Sequence, residues 1–101
     1  MKDYVEARRI TEEAIATNPQ SEAPHNNLAY IFLQQNEPDK AIESALTAIR
    51  IFPKYSDAYL NLARGYAAKG LIPQAREAYA AAGQYNPLLK TTIDQELSRI
   101  P

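Results

Sequence analysis

A proline returns at a fixed interval along this chain. Pro19, Pro53 and Pro87 are separated by 34 residues each, and the residues behind them recur in step. Alanine stands five residues before each proline, at Ala14, Ala48 and Ala82, and again seven residues further back, at Ala7, Ala41 and Ala75. Between those alanines lie Thr11, Ala45 and Tyr79. Upstream, Asn27, Leu28, Ala29 and Phe32 match Asn61, Leu62, Ala63 and Tyr66. A chain built this way buries the apolar face of each unit against its neighbours, so it is expected to grow as a row of similar units.

The pattern within a unit is helical. Ala41, Ile42, Ala45, Leu46, Ala48, Ile49 and Phe52 recur at three- and four-residue spacing, and so do Tyr59, Leu62, Ala63 and Tyr66. Alanines opposite Leu, Phe and Tyr suit the ridge-into-groove packing of neighbouring helices. The breaks are as regular as the apolar faces. Asn36 and Gly70, one interval apart, are the residue types that best tolerate the left-handed conformation closing a helix. Pro38 and Pro73 then fall in the first turn of the next helix, where a missing N–H costs little. Ser21 and Ser56 are expected as N-caps. No alternating run bounded by turn residues signals a strand. The expectation is an all-α chain with helices over 2–17, 21–35, 38–51, 56–69, 72–85 and 90–99.

The interval and its residues resemble the tetratricopeptide repeat, a helix–turn–helix unit with fixed small and large apolar positions. The resemblance implies an α-α superhelix, or solenoid, of about two and a half repeats plus a C-terminal capping helix. It implies a single domain over 1–101, with a partial repeat at 1–21, repeats at 22–55 and 56–89, and the cap at 90–101. Two departures stand out. His25 replaces the usual large aromatic, which returns at Tyr59, and Ala29 and Ala63 stand where glycine is common.

Composition narrows the chemistry. Apolar residues make up 46% and charged residues 23%, as expected of a folded chain. A net charge of −1 supplies no field to draw in nucleic acid or an anionic membrane. The absence of cysteine removes disulfides, thiolate nucleophiles and thiol-rich metal sites. The longest apolar run, Leu28–Leu33, is far too short to span a membrane, and the N-terminus lacks an apolar signal region. The chain is therefore expected in the cytoplasm, alone or as a segment of a longer protein, with no membrane contact of its own.

Catalysis finds little support. The sole histidine, His25, lies four residues after Ser21, and the pair reads as an N-cap serine beside a helix-face histidine. The carboxylates Glu12/Glu13, Glu37/Asp39 and Asp94/Glu96 diverge by about 100° or 200° around a helix, too far to converge as an acid/base pair. No phosphate-binding or nucleophile-elbow motif is present. The expectation is no enzyme, no cofactor and no metal. RNA-reading helical arrays are set aside as well, because the basic residues are scattered and matched by acids, Arg8 with Glu12, Lys40 with Glu43 and Arg76 with Glu77.

Protein binding remains. In the family resembled, the first helix of each hairpin lines a concave surface. Carried over by position, the residues facing the groove are Ala23, Asn26, Asn27, Tyr30, Leu33 and Gln34, then Asp57, Leu60, Asn61, Arg64, Ala67 and Ala68. Leu28–Leu33 is apolar on every side, more than one buried stripe needs, so Tyr30 and Leu33 are expected to face the groove. Asn27 and Asn61 share a repeat position, and a row of carboxamides can pair with the backbone of an extended peptide, similar to the asparagine ladder of some family members. Arg64 either receives a carboxylate of the partner or pairs internally, with Asp57 or the capping helix. The two-carboxylate clamp of chaperone-binding members is matched only at Asn61; Asn26, Tyr30, Thr91 and Gln95 depart from it. The alternatives are a structural or oligomerisation segment, or a regulatory part of a larger enzymatic or membrane-tethered protein.

The two ends differ. Ile93, Leu97 and Ile100 form a narrow stripe, and Lys90, Asp94, Gln95, Glu96, Ser98 and Arg99 cover the rest of a closing helix. Glu96 occupies the repeat position of Leu28 and Leu62, so this helix is not designed to continue the row. At the other end Tyr4, Val5, Ala7, Ile10, Ala14 and Ile15 leave apolar surface unpartnered, to be covered by further upstream residues or by a homodimer through this helix.

Overall fold

A computed structural model describes residues 3–101. Its helices run α1 Tyr4–Thr17, α2 Glu22–Gln34, α3 Pro38–Ile51, α4 Ser56–Ala68 and α5 Ile72–Tyr85, then α6 Lys90–Leu97 after a 3₁₀ turn at Pro87–Leu89. The expected start of the first helix at Lys2 lies outside the described residues. Neighbours in sequence pack as neighbours in space: α1 on α2, α2 on α3, α3 on α4 and α4 on α5. The first helices of successive hairpins, α2 and α4, also touch. This is an all-α superhelical stack, 37 Å along its longest axis.

Small residues at the repeat positions let the helices approach. Ala41, Ala45, Ala48, Ala75 and Ala82 are all wholly inaccessible, as are Ala29 and Ala63 on the partner helices. The core is divided along the row. Leu28, Phe32 and Ala41 form one cluster with Ile15 and Leu33 against it. A larger cluster runs from Ala29 and Ala45 through Leu62 and Tyr79 to Ile93. Leu97 and Ile100 pack against that second cluster, although the closing helix ends at Leu97, short of the expected 99, and Ile100 packs from the turn after it.

The punctuation is repeated atom for atom. Asn36 and Gly70 have φ of 59° and 76°, the left-handed conformation. Around each, the helix closes with the same pair of bonds. Asn36 N–H donates to the Leu33 carbonyl and Glu37 N–H to Phe32, just as Gly70 N–H donates to Ala67 and Leu71 N–H to Tyr66. Pro38 opens α3, and Pro73 is the second residue of α5. The departure at His25 preserves a contact. Its Nε2 lies 2.9 Å from the Pro19 carbonyl, and the Tyr59 hydroxyl donates to the Pro53 carbonyl at 3.1 Å. Because a carbonyl only accepts, Nε2 carries the proton there, and the imidazole ties the helix to its preceding turn as the phenol does.

Several local expectations change. Ser56 is the first residue of α4, with Tyr55 at the cap; Ser21 sits at the cap of α2 but its hydroxyl makes no capping bond. Asp3 does cap α1, accepting from Glu6 N–H at 3.1 Å. Lys40 pairs with Glu37 at 3.3 Å rather than with Glu43. Arg76 reaches the Pro101 carbonyl rather than Glu77, while Arg8 and Glu12 pair at 3.4 Å. Among the described residues no helix is long and apolar enough to cross a membrane.

Candidate functional site

A cleft of about 490 Å³ opens between α1, α2 and α4. Seven of the twelve groove positions inferred from the sequence line it: Asn26, Asn27, Tyr30, Asp57, Leu60, Asn61 and Arg64. The repeat explains the convergence, because α2 and α4 present the same face one interval apart and touch along it. Leu33 and Gln34 are elsewhere. Leu33 is half-buried and packs against Leu28, Phe32 and Ala41, and Gln34 is exposed at the helix end. Ala67 and Ala68 line a separate depression beside α6, and Ala23 is exposed at the start of α2.

Three lining residues come from α1, namely Tyr4, Ala7 and Thr11. Position-by-position carry-over from first helices alone misses them. Their spacing of three and four residues along one helix face was the available signal.

The floor of the cleft is a chain of hydrogen bonds. The Asn61 carboxamide N–H donates to the Asn26 side-chain oxygen at 2.8 Å, and Asn26 in turn donates to the Tyr55 hydroxyl at 3.4 Å. Asn26 and Asn61 are both buried, at 8% and 5% exposure. Arg64 donates to the Asn61 oxygen at 3.3 Å and grips Glu96 of α6 with two parallel bonds, Nε–Oε1 at 2.9 Å and Nη2–Oε2 at 2.7 Å. The Tyr79 hydroxyl donates to Glu96 Oε1 at 2.9 Å. Of the alternatives open for Arg64, the capping helix takes it.

Two sequence expectations are revised by this network. Asn27 and Asn61 do not form an equivalent pair of open carboxamides, because Asn61 is spent on Asn26 while Asn27 is exposed. Glu96 is not part of a solvated face; its side chain is only 17% exposed, and its burial is made tolerable by Arg64 and Tyr79.

The titration behaviour follows from the contacts. Burial pushes the Glu96 carboxyl up, but the bonds from Arg64 and Tyr79 and the field of Arg64 and Arg99 outweigh it and hold the group below its ordinary value. The hydrogen bonds to Glu96 hold the Arg64 guanidinium above its ordinary value against desolvation. Burial first, then the bond to Glu96, pushes the Tyr79 phenol upward. Burial also raises Tyr55, with the charges of Asp57 and Glu22 adding to it and the bond from Asn26 opposing.

Among the described residues no group of three His, Asp or Glu side chains is placed to hold a metal ion. What the cleft does offer is contact. The Tyr30 ring and the Asn27 amide are exposed beside the Leu60 side chain, and the Asp57 carboxylate has no ion-pair partner among the described residues.

Comparisons with known proteins agree with the repeat fold. A family model described as tetratricopeptide repeat matches residues 26–88, and a second of the same description matches residues 1–47. The small glutamine-rich tetratricopeptide repeat-containing protein 2 of Mycosarcoma maydis is 35% identical over 86 residues, covering 85% of this chain and 24% of that protein. A UDP-N-acetylglucosamine–peptide N-acetylglucosaminyltransferase of Giardia intestinalis is 32% identical over 84 residues, covering 83% of this chain and 6% of that protein. The chain thus spans about a quarter or less of the length of these relatives.

Proposed function

The chain belongs to the tetratricopeptide repeat family, and from that premise we propose that this protein–protein interaction module, itself non-catalytic, takes up a segment of a partner protein in the cleft between α1, α2 and α4. The observation that carries the reading is the division of labour in the cleft. Asn26, Asn61 and Arg64 are bonded to one another and to α6, so they set its floor. Asn27, Tyr30 and Asp57 remain exposed to meet a partner, while Leu60 is buried in the core beneath them. An aromatic ring, a carboxamide and a carboxylate on one rigid surface form the kind of small contact cluster from which most binding energy comes. Leu33 and Gln34, outside the cleft, take no part in the proposed contact.

The test is affinity capture with the wild type and with the double variant Asn27→Ala/Tyr30→Glu. Both side chains point outward, so the variant is expected to unfold at the wild-type temperature while losing the captured partner. A partner retained equally by both contradicts the reading. Self-association through α1, the other use open to its apolar face, predicts a sedimentation coefficient that rises with concentration and ceases to rise in Ile10→Glu.

A further inference from the structure

The two charged residues that line the cleft, Asp57 and Arg64, stand in opposite conditions. Each nitrogen of the Arg64 guanidinium already has a partner. Nε and Nη2 donate to Glu96 at 2.9 and 2.7 Å, and Nη1 donates to Asn61 at 3.3 Å. Its charge is met by the Glu96 carboxylate. Asp57 is exposed and has no ion-pair partner among the described residues, and neither has Glu22 at the start of α2. Both carboxylates lie near enough to the Tyr55 hydroxyl for their charges to push that phenol upward. The same hydroxyl accepts from Asn26 at 3.4 Å, so two uncompensated negative charges stand beside the floor of the cleft.

The exposure of Asp57 owes nothing to where the chain begins. Helix α4 is bonded to α2 through Asn61 and Asn26, and to α6 through Arg64 and Glu96. Asp57 faces outward with both neighbours in place. Nor does the repeat impose the charge, since its counterparts are Ala23 and Thr91. A carboxylate in the first turn of a helix is favoured by the helix dipole, which accounts for either acid singly. What the dipole leaves unexplained is their company: Tyr30, 37% exposed, lines the same cleft as Asp57.

We propose that the cleft takes a basic segment of a partner protein, anchored by an arginine that pairs with Asp57 and lies against the Tyr30 ring. The inference rests on the protein-binding reading and adds the charge of the partner. A guanidinium bonds a carboxylate through its edge while its face rests on an aromatic ring; the point charge of lysine does only part of this. An acidic segment is disfavoured for the converse reason. It would find every Arg64 nitrogen engaged, and it would bring its own charge up to Asp57 and Glu96.

The probe is a capped Gly-Arg-Gly-Arg-Gly peptide, with its lysine and glutamate counterparts, titrated into the isotopically labelled intact chain and followed by amide chemical shifts. Saturable shifts at Tyr30 and Asp57 are expected with the arginine peptide, weaker binding with the lysine peptide and none with the glutamate peptide. Asp57→Asn should weaken arginine-peptide binding at least about fivefold. Glu43→Gln, the same change of charge at an exposed acid of α3 outside the cleft, should leave it unchanged. Both positions are exposed, so both variants are expected to unfold at the wild-type temperature. Equal weakening by the two substitutions reduces the effect to net charge and overturns the proposal. A glutamate peptide that shifts the same amides overturns it too, while leaving the cleft as a binding surface. Silence of the arginine peptide, with Asn27→Ala/Tyr30→Glu still losing its captured partner, removes the charge preference alone; if that variant keeps its partner as well, both readings fall.

Discussion

The two ends of the stack carry the same repeat positions and treat them differently. At the C-terminal end, α6 and the turn after it lay Ile93, Leu97 and Ile100 against the last hairpin, and α6 inserts Glu96, whose carboxylate is held by Arg64 and Tyr79. At the N-terminal end, α1 has no buried residue at all. Its cohesion comes from packing on α2 and from surface ion pairs such as Arg9 with Glu6 and Glu13, which contribute little in water. The difference teaches that identical spacing gives identical helices but not identical stability. A repeat position becomes a core position only when a neighbour covers it. One end carries a buried ionic lock, and the other presents a face shaped like the interior of the stack.

Substitutions at matched positions break or sharpen that contrast. The largest effect is expected from Ala48→Asp, which places an unpaired charge at a site with no exposure and should cost at least about 3 kcal/mol. Ala14→Asp, at the same position on exposed α1, should cost less than about 0.5 kcal/mol. Paired urea titrations measure both, and equal losses would mean that the edge is as closed as the interior.

Next in size is the lock. Glu96→Ala leaves the half-buried Arg64 and the Tyr79 hydroxyl without their shared acceptor and should cost about 2 kcal/mol, the scale of charge-assisted bonds partly open to solvent. Glu12→Ala, removing an exposed ion pair on α1, should cost under about 0.5 kcal/mol. Tyr79→Phe, which removes a single donor to Glu96, should cost about 1 kcal/mol.

The same lock imparts a pH dependence of known sign. The carboxyl of Glu96 is held below its ordinary 4.5 in the folded chain. The folded state therefore binds this proton more weakly than the unfolded state does. Its contribution is fully present above about pH 4.5 and is lost as pH falls through the folded value. Denaturant midpoints between pH 3 and 6 should fall toward the acid side in the wild type and flatten in Glu96→Gln. An unchanged slope in that variant would show that other carboxylates carry the effect.

How much of this was legible in the sequence depends on the distance between the residues that decide it. Asn36, Gly70, Pro38 and Pro73 announce their helix ends because each acts through its own backbone. The alanine positions are legible because the interval repeats. Glu96 was not, since its burial depends on Arg64 and Tyr79, residues 32 and 17 positions away that only the packing of α6 brings together. Asn27 and Asn61 were misjudged as a pair for a related reason: periodicity gives both the same position, but only Asn61 has an Asn26 in reach. Leu33 was assigned to the cleft from the apolar run around it, and its place beside Phe32 and Ala41 follows from which side of α2 meets α3. Tyr4, Ala7 and Thr11 show the converse, a contact face on a second helix that becomes visible only where the stack leaves it open.

Native-state hydrogen exchange tests the inequality of the two ends most directly. Amides in the middle of α4 and α5 are expected to exchange only with global unfolding, and those of α6 near Ile93 to follow closely. Those of α1 between Ala7 and Ala14 should exchange through local opening of markedly lower free energy. Protection of α1 equal to that of α4 would contradict the account, because it would mean that the exposed edge is already closed.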